Sequence, residues 1–104
     1  MGCDLDRNYL LASVQRALLG AVGDSLCGLC AHLQNGSVVL TWYVRPGMPE
    51  EERDDLGIAG TEVIADFPAP FTIDERFVEV VDPSSALRTV GEWVFLRRGF
   101  TVTG

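Results

Sequence analysis

The stretch LCGLCAHLQNGSVVLTWYVR, residues 26–45, decides the fold. Asn35-Gly36 lies between two runs rich in branched and aromatic residues, the composition of a hairpin closed by a two-residue turn. With that turn Gln34 pairs with Ser37, and the pairs that follow sort by face. One face takes Leu33 with Val38, Ala31 with Leu40, Leu29 with Trp42 and Cys27 with Val44, all apolar. The other takes His32 with Val39, Cys30 with Thr41, Gly28 with Tyr43 and Leu26 with Arg45, polar or mixed along its length. A slip of one residue would destroy this sorting, so turn chemistry and face pattern point independently to one register.

Upstream, Asp6 is positioned to cap a helix running through Leu19 and stopping at Gly20, with Leu10, Leu11, Val14, Ala17 and Leu18 on one stripe. The hairpin's apolar face is the natural bed for it. Downstream, Pro46-Gly47 breaks the strand, and Pro49 followed by Glu50, Glu51 and Glu52 opens a second helix whose acids complement the positive end of its dipole. Leu56, Ala59 or Gly60, Val63 and Phe67 share a stripe. Gly57 and Gly60 each weaken the helix by about 1 kcal/mol relative to alanine, which suggests close packing on a neighbour. Pro68 and Pro70 end it.

Phe71 to Asp82 then reads as a strand, Asp82-Pro83-Ser84-Ser85 as a turn, and Glu92 to Arg97 as a last strand. Both strands are apolar at both parities. Either each is buried on two faces, or one face exposes aromatic residues to a partner. Residues from Phe100 to Gly104 are expected to fray. The order α-β-β-α-β-β predicts a single α+β domain over residues 1–104, with a four-stranded antiparallel sheet carrying two helices on one face. The opposite face is then partly open, presenting Tyr43, Thr41 and His32.

A chain of 104 residues can bury its own core without staples. No apolar run is long enough to cross a bilayer, so no membrane partner is expected. Met1-Gly2-Cys3-Asp4-Leu5-Asp6 has neither a basic nor an apolar leader region, and Asp6 replaces the hydroxyl residue that acylation at Gly2 requires. Three cysteines are too few for a disulfide scaffold, and the expected compartment is the cytoplasm. The net charge of −7 is unevenly spread: residues 50–82 hold eleven of the 15 acids against Arg53 and Arg76, a local net of −9. Such a surface disfavours direct contact with nucleic acid, whose phosphates require a basic face.

No catalytic constellation assembles. Cys27-Gly28-Leu29-Cys30 has the spacing of a thiol redox or zinc motif, but in this register the two thiols point to opposite strand faces, and only Cys3 and His32 remain to complete a metal site. Buried small hydrophobes account for both. His32 lies two residues from Cys30 on the same face, about 6 to 7 Å along the strand, without an orienting acid. Glu50 to Asp55 lacks the alternating ligands and the glycine of a calcium loop, and phosphate-binding glycine motifs are absent, so no cofactor is expected.

Taken together, Asp6-Arg7-Asn8-Tyr9-Leu10-Leu11 with Gln15 and Ala17-Leu18-Leu19-Gly20, the hairpin, Pro49-Glu50-Glu51-Glu52, Glu62-Val63-Ile64-Ala65-Asp66-Phe67-Pro68 and Glu92-Trp93-Val94-Phe95 resemble small bacterial immunity proteins. These accompany contact-dependent growth inhibition and related polymorphic toxins. The resemblance implies a non-catalytic cytoplasmic antitoxin that binds one cognate toxin C-terminal domain, often a nuclease, and blocks its active site. An acidic surface complements a basic substrate cleft. On that reading Glu51, Glu52, Asp54, Asp55, Asp74, Glu75 and Glu79 face the toxin, Tyr43 on the open sheet face is the aromatic anchor, and Trp93 is the second. Two other classes fit the residues. One is an acidic adaptor docking through the open sheet face; the other is a small cysteine enzyme using Cys30 and His32.

Overall fold

The computed structural model describes residues 7–103. The expected Asp6 cap and Cys3 lie outside the described residues. Helix α1 spans Arg7–Ala17, strands β1 and β2 span Leu26–Gln34 and Ser37–Val44, helix α2 spans Glu50–Ala65, and β3 spans Thr72–Glu79. Then come β4 (Leu87–Arg88), β5 (Glu92–Leu96) and β6 (Val102–Thr103).

The hairpin forms as its turn chemistry dictates. Asn35 and Gly36 both take positive φ, 49° and 80°, the conformation of a two-residue turn that Asn-Gly tolerates. Pairing runs in the expected register from Gln34↔Ser37 to Gly28↔Tyr43. Beyond it a bulge intervenes and Leu26 pairs with Val44, so Cys27 is the extra residue. The expected pairing of Cys27 with Val44 is thereby corrected. Cys27 joins Cys30 in one buried cluster instead of facing away from it.

The sheet is mixed, with strand order β3-β2-β1-β5. Pairings β1–β2 and β1–β5 are antiparallel, but β3 runs parallel to β2, from Ser37↔Thr72 to Val44↔Glu79. This corrects the all-antiparallel expectation, and α2 supplies the reason. Its 16 residues carry the chain about 24 Å back along the sheet, so β3 starts again beside the beginning of β2.

Both helices lie on one sheet face, over a core of Leu29, Leu40, Trp42, Leu56 and Val63 with Leu10 and Val14. The stripe of α1 is buried as its spacing requires, except that Leu11 is half-exposed and Ser13 is buried in addition. The other sheet face is covered. Val80, Leu87, Val90, Trp93 and Phe100 close over Cys27, Cys30 and Tyr43. The expected open face is therefore a second core, and Tyr43 and Thr41 are only 4% and 3% exposed. Phe100, the first residue of the tail expected to fray, packs there, and β6 pairs in parallel with β4.

This two-sided cover accounts for the mixed parity of the last sheet strands. Phe77 packs with the helix-side core and Val80 with the second one. In β5 a register shift sends Phe95 to the first core and Trp93 to the second, although the two share parity. No helix among the described residues is long and apolar enough to cross a membrane.

Candidate interaction surface on α2 and β3

Helix α2 starts at Pro49 without a side-chain cap, and its first turn is Glu50-Glu51-Glu52. These acids have different fates. Glu52 turns inward, and its Oε1 accepts the Ser25 N–H at 2.9 Å, holding the entrance of β1 against α2. Glu51, Asp54 and Asp55 stay exposed, with no hydrogen bond or ion pair among the described residues. At the far end Asp66 is committed to packing: its carboxylate accepts from Ser13 Oγ at 2.6 Å and from Arg16, and its carbonyl accepts from the Tyr9 hydroxyl.

On β3 successive residues alternate between faces. Asp74 lies on the side away from the helices and pairs with Arg76, Nη2 to Oδ2 at 2.7 Å. Glu75, Phe77 and Glu79 lie on the helix side. Glu75 Oε1 accepts the Trp42 indole N–H at 3.0 Å. This reach depends on Gly60, because a Cβ there would sit 2.6 Å from Glu75 Oε2. Close packing thus explains Gly60, whereas nothing lies within 4 Å of where a Gly57 Cβ would be. Phe77 stacks on Trp42 with ring centroids 6.2 Å apart and planes at 21°, and the Arg53 guanidinium lies 4.2 Å above the Phe77 ring.

Between α2 and β3 this leaves an open groove of about 560 Å³, walled by Arg53, Asp54, Ile58, Thr61, Glu75 and Phe77. Arg53 and Phe77 also wall a second hollow of about 530 Å³ that reaches Arg45, Met48 and Glu79. Ile58 is 58% exposed. It lies off the Leu56, Ala59 and Val63 stripe, which was the sequence signal that it faces outward.

Burial pushes the Glu75 carboxyl above the usual glutamate range, while the Trp42 hydrogen bond and the Arg53 charge pull it down. The folded protein therefore holds this proton to higher pH than the unfolded chain does. The cost of the ionised carboxylate is absent below the unfolded pKa and is fully present once pH has passed the folded one. Glu75→Gln keeps an acceptor for Trp42 and removes the ionisation. Its stability relative to the parent is expected to rise between about pH 4 and about pH 7, read from urea midpoints at the two ends.

The two aromatic candidates lie elsewhere. Tyr43 is buried in the second core, with its hydroxyl donated to the Arg88 carbonyl, and it stacks on Trp93 at 5.7 Å. Trp93 is half-buried and donates its indole N–H to Thr89 Oγ1 at 2.8 Å. The pair closes the sheet face opposite the helices, so the expectation of Tyr43 as an exposed anchor is corrected. The side chains that the sequence reading missed are Arg53, Ile58 and Phe77.

The cysteines resolve differently. Cys27 and Cys30 are buried free thiols, and burial pushes both up from the ordinary thiol value, with Arg45 and Arg97 offsetting part of it for Cys27. Such thiols stay protonated. His32 turns Nε2 toward Gln34 Oε1 at 3.2 Å. At the end of the acidic segment, Asp82 accepts from Ser84 and Ser85, which holds its carboxyl below the usual range and commits it to a turn.

Comparison with curated proteins gives no match for this chain. The family model described as MafI2 immunity protein matches residues 7–99, which takes in both helices, the whole four-stranded sheet and the α2–β3 groove. The chain belongs to the MafI2 immunity protein family.

Proposed function

We propose that this protein neutralises its cognate toxin by covering the toxin's substrate cleft with the α2–β3 surface, and that the cleft is basic, as in a nuclease. Membership of the immunity family implies a toxin protein as partner and a non-catalytic inhibitor as role. The observation that carries the finer reading is a groove with Ile58 and Phe77 in its walls and the exposed carboxylates Asp54 and Glu79 at its hollows, with Glu51 and Asp55 exposed and unpaired on the same helix. Carboxylates at the rim steer a basic partner and reject acidic ones, and the apolar walls supply contact area. Glu52 acts indirectly by fixing the start of α2. Asp74 is a marginal contributor because Arg76 neutralises it. Trp93 and Tyr43 hold the opposite face and take no part in contact. The site of action is the cytoplasm, where a delivered toxin would meet its inhibitor.

The adaptor alternative required an open sheet face, and that face is occupied by the C-terminal segment. The test is calorimetry of this protein with the toxic domain encoded immediately upstream, at low and high salt. One-to-one binding that weakens with salt, together with loss of toxicity, is the expected result. Absence of binding would overturn the proposal.

A further inference from the structure

The geometry points to the free edge of β3 as a strand-addition site: an extended toxin segment with basic side chains at alternate positions pairs with residues 73–79 and lowers those side chains into the α2–β3 groove. This rests on the immunity reading above and names how that surface takes hold.

The sheet ends at β3, which has β2 on one side and, among the described residues, no strand on the other. Thr72 N–H donates to the Gly36 carbonyl at 3.1 Å and Val80 N–H to the Val44 carbonyl at 2.8 Å. The even-numbered residues thus turn their backbone groups toward β2, and Ile73, Glu75, Phe77 and Glu79 turn theirs outward. Protein edges are commonly blunted by prolines, bulges or short strands. Strand β3 has none of these, since its eight residues pair with β2 in unbroken register, and its edge is guarded only by charge, Asp74, Glu75, Arg76 and Glu79, a net negative set that a basic segment neutralises. The opposite edge differs, because β5 has five residues and a register shift.

Three of the outward residues, Glu75, Phe77 and Glu79, also supply side chains to the groove and the adjoining hollow. A strand added about 4.8 Å beyond β3 places every second side chain on the helix side. There it meets the Asp54 and Glu75 carboxylates and the apolar Ile58 and Phe77, while the Arg53 guanidinium in the same wall is held over the Phe77 ring. A lysine or arginine satisfies both, with its stem on the apolar wall and its charge at the carboxylates. A second copy of this chain fits poorly, because it would bring two segments of net −9 together along the same edge.

The test is residue-resolved hydrogen exchange on the full chain, alone and mixed one-to-one with the toxic domain encoded upstream. The amides of Ile73, Glu75, Phe77 and Glu79 are expected to exchange fast in the free protein and at least about tenfold more slowly in the complex, while their even-numbered neighbours are protected in both. Glu79→Pro removes one outward donor and spares the β2 ladder. Measured against Glu79→Gln, which loses the same carboxylate but keeps the donor, it is expected to weaken the complex about tenfold with hairpin protection unchanged in both; equal affinities of the two variants would overturn strand addition. Full-affinity binding with fast outward amides would overturn strand addition and leave the immunity reading standing. No complex and no neutralisation would overturn both. A dimeric free protein with slow outward amides would replace the basic segment by a second copy as the occupant.

Discussion

Truncating Trp42 to alanine is expected to cost about 3–5 kcal/mol of folding stability, a large part of the roughly 5–15 kcal/mol that a domain of this kind has in total. Trp42 is 1% exposed and sits where the hairpin, α2 and β3 meet. The truncation opens a cavity beneath α2, removes the ring on which Phe77 stacks, and takes the indole donor from the half-buried Glu75 carboxylate. The last loss adds to the first, because an acceptor left without its partner keeps its desolvation cost. Trp42→Phe restores most of the volume but not the donor and should fall between the two. Urea unfolding at neutral pH separates the three proteins by midpoint, with the slope unchanged if each still unfolds in one step. An alanine variant within about 1 kcal/mol of the parent would mean that the groove wall is not anchored through this residue.

Reversing Asp54 and Asp55 to lysine is expected to slow association with the toxin by about tenfold to a hundredfold at low salt, with a smaller effect on dissociation. Both side chains are exposed, so folding should be little changed, while the net charge moves from −7 to −3, two units per reversal. Stopped-flow binding across a salt series is the measurement. The two proteins should converge as salt rises, because screening removes the contribution that the substitutions remove. Equal association rates at low salt would place the toxin on another surface.

How much of this was legible in the sequence differs by element. Two independent constraints fixed the hairpin register, and it held from the turn to Gly28. It gave way at Cys27, because a bulge adds one residue without leaving a mark in a run that is apolar at both parities. The direction of β3 was not read because a period-2 pattern looks alike in parallel and antiparallel strands; only the length of α2 distinguishes them. Strands β4 and β6, two residues each, are too short to carry any period, yet β4 brings Leu87 into the second core and β6 pairs with it. For the surface, the concentration of acids in residues 50–82 was plain. Which acids remain free was not, because Glu52, Asp66 and Glu75 are engaged by Ser25, Ser13 and Trp42, residues distant in sequence.

The parallel crossover has a consequence for how specificity can be changed. Within the sheet, β3 touches only β2, and the chain leaves the hairpin after Val44 and reaches the second core at Val80. Everything between, including the acidic helix, the groove and the free edge, is one uninterrupted cassette on a frame made by α1, the hairpin and β5. Exchanging that cassette between two immunity proteins, with the residues that meet the frame kept, Leu56, Ala59, Gly60 and Val63 as its underside and Glu52, Asp66, Phe67, Glu75 and Phe77 as its ties to Ser25, α1 and Trp42, would move partner choice as a single unit and leave the frame to fold as before.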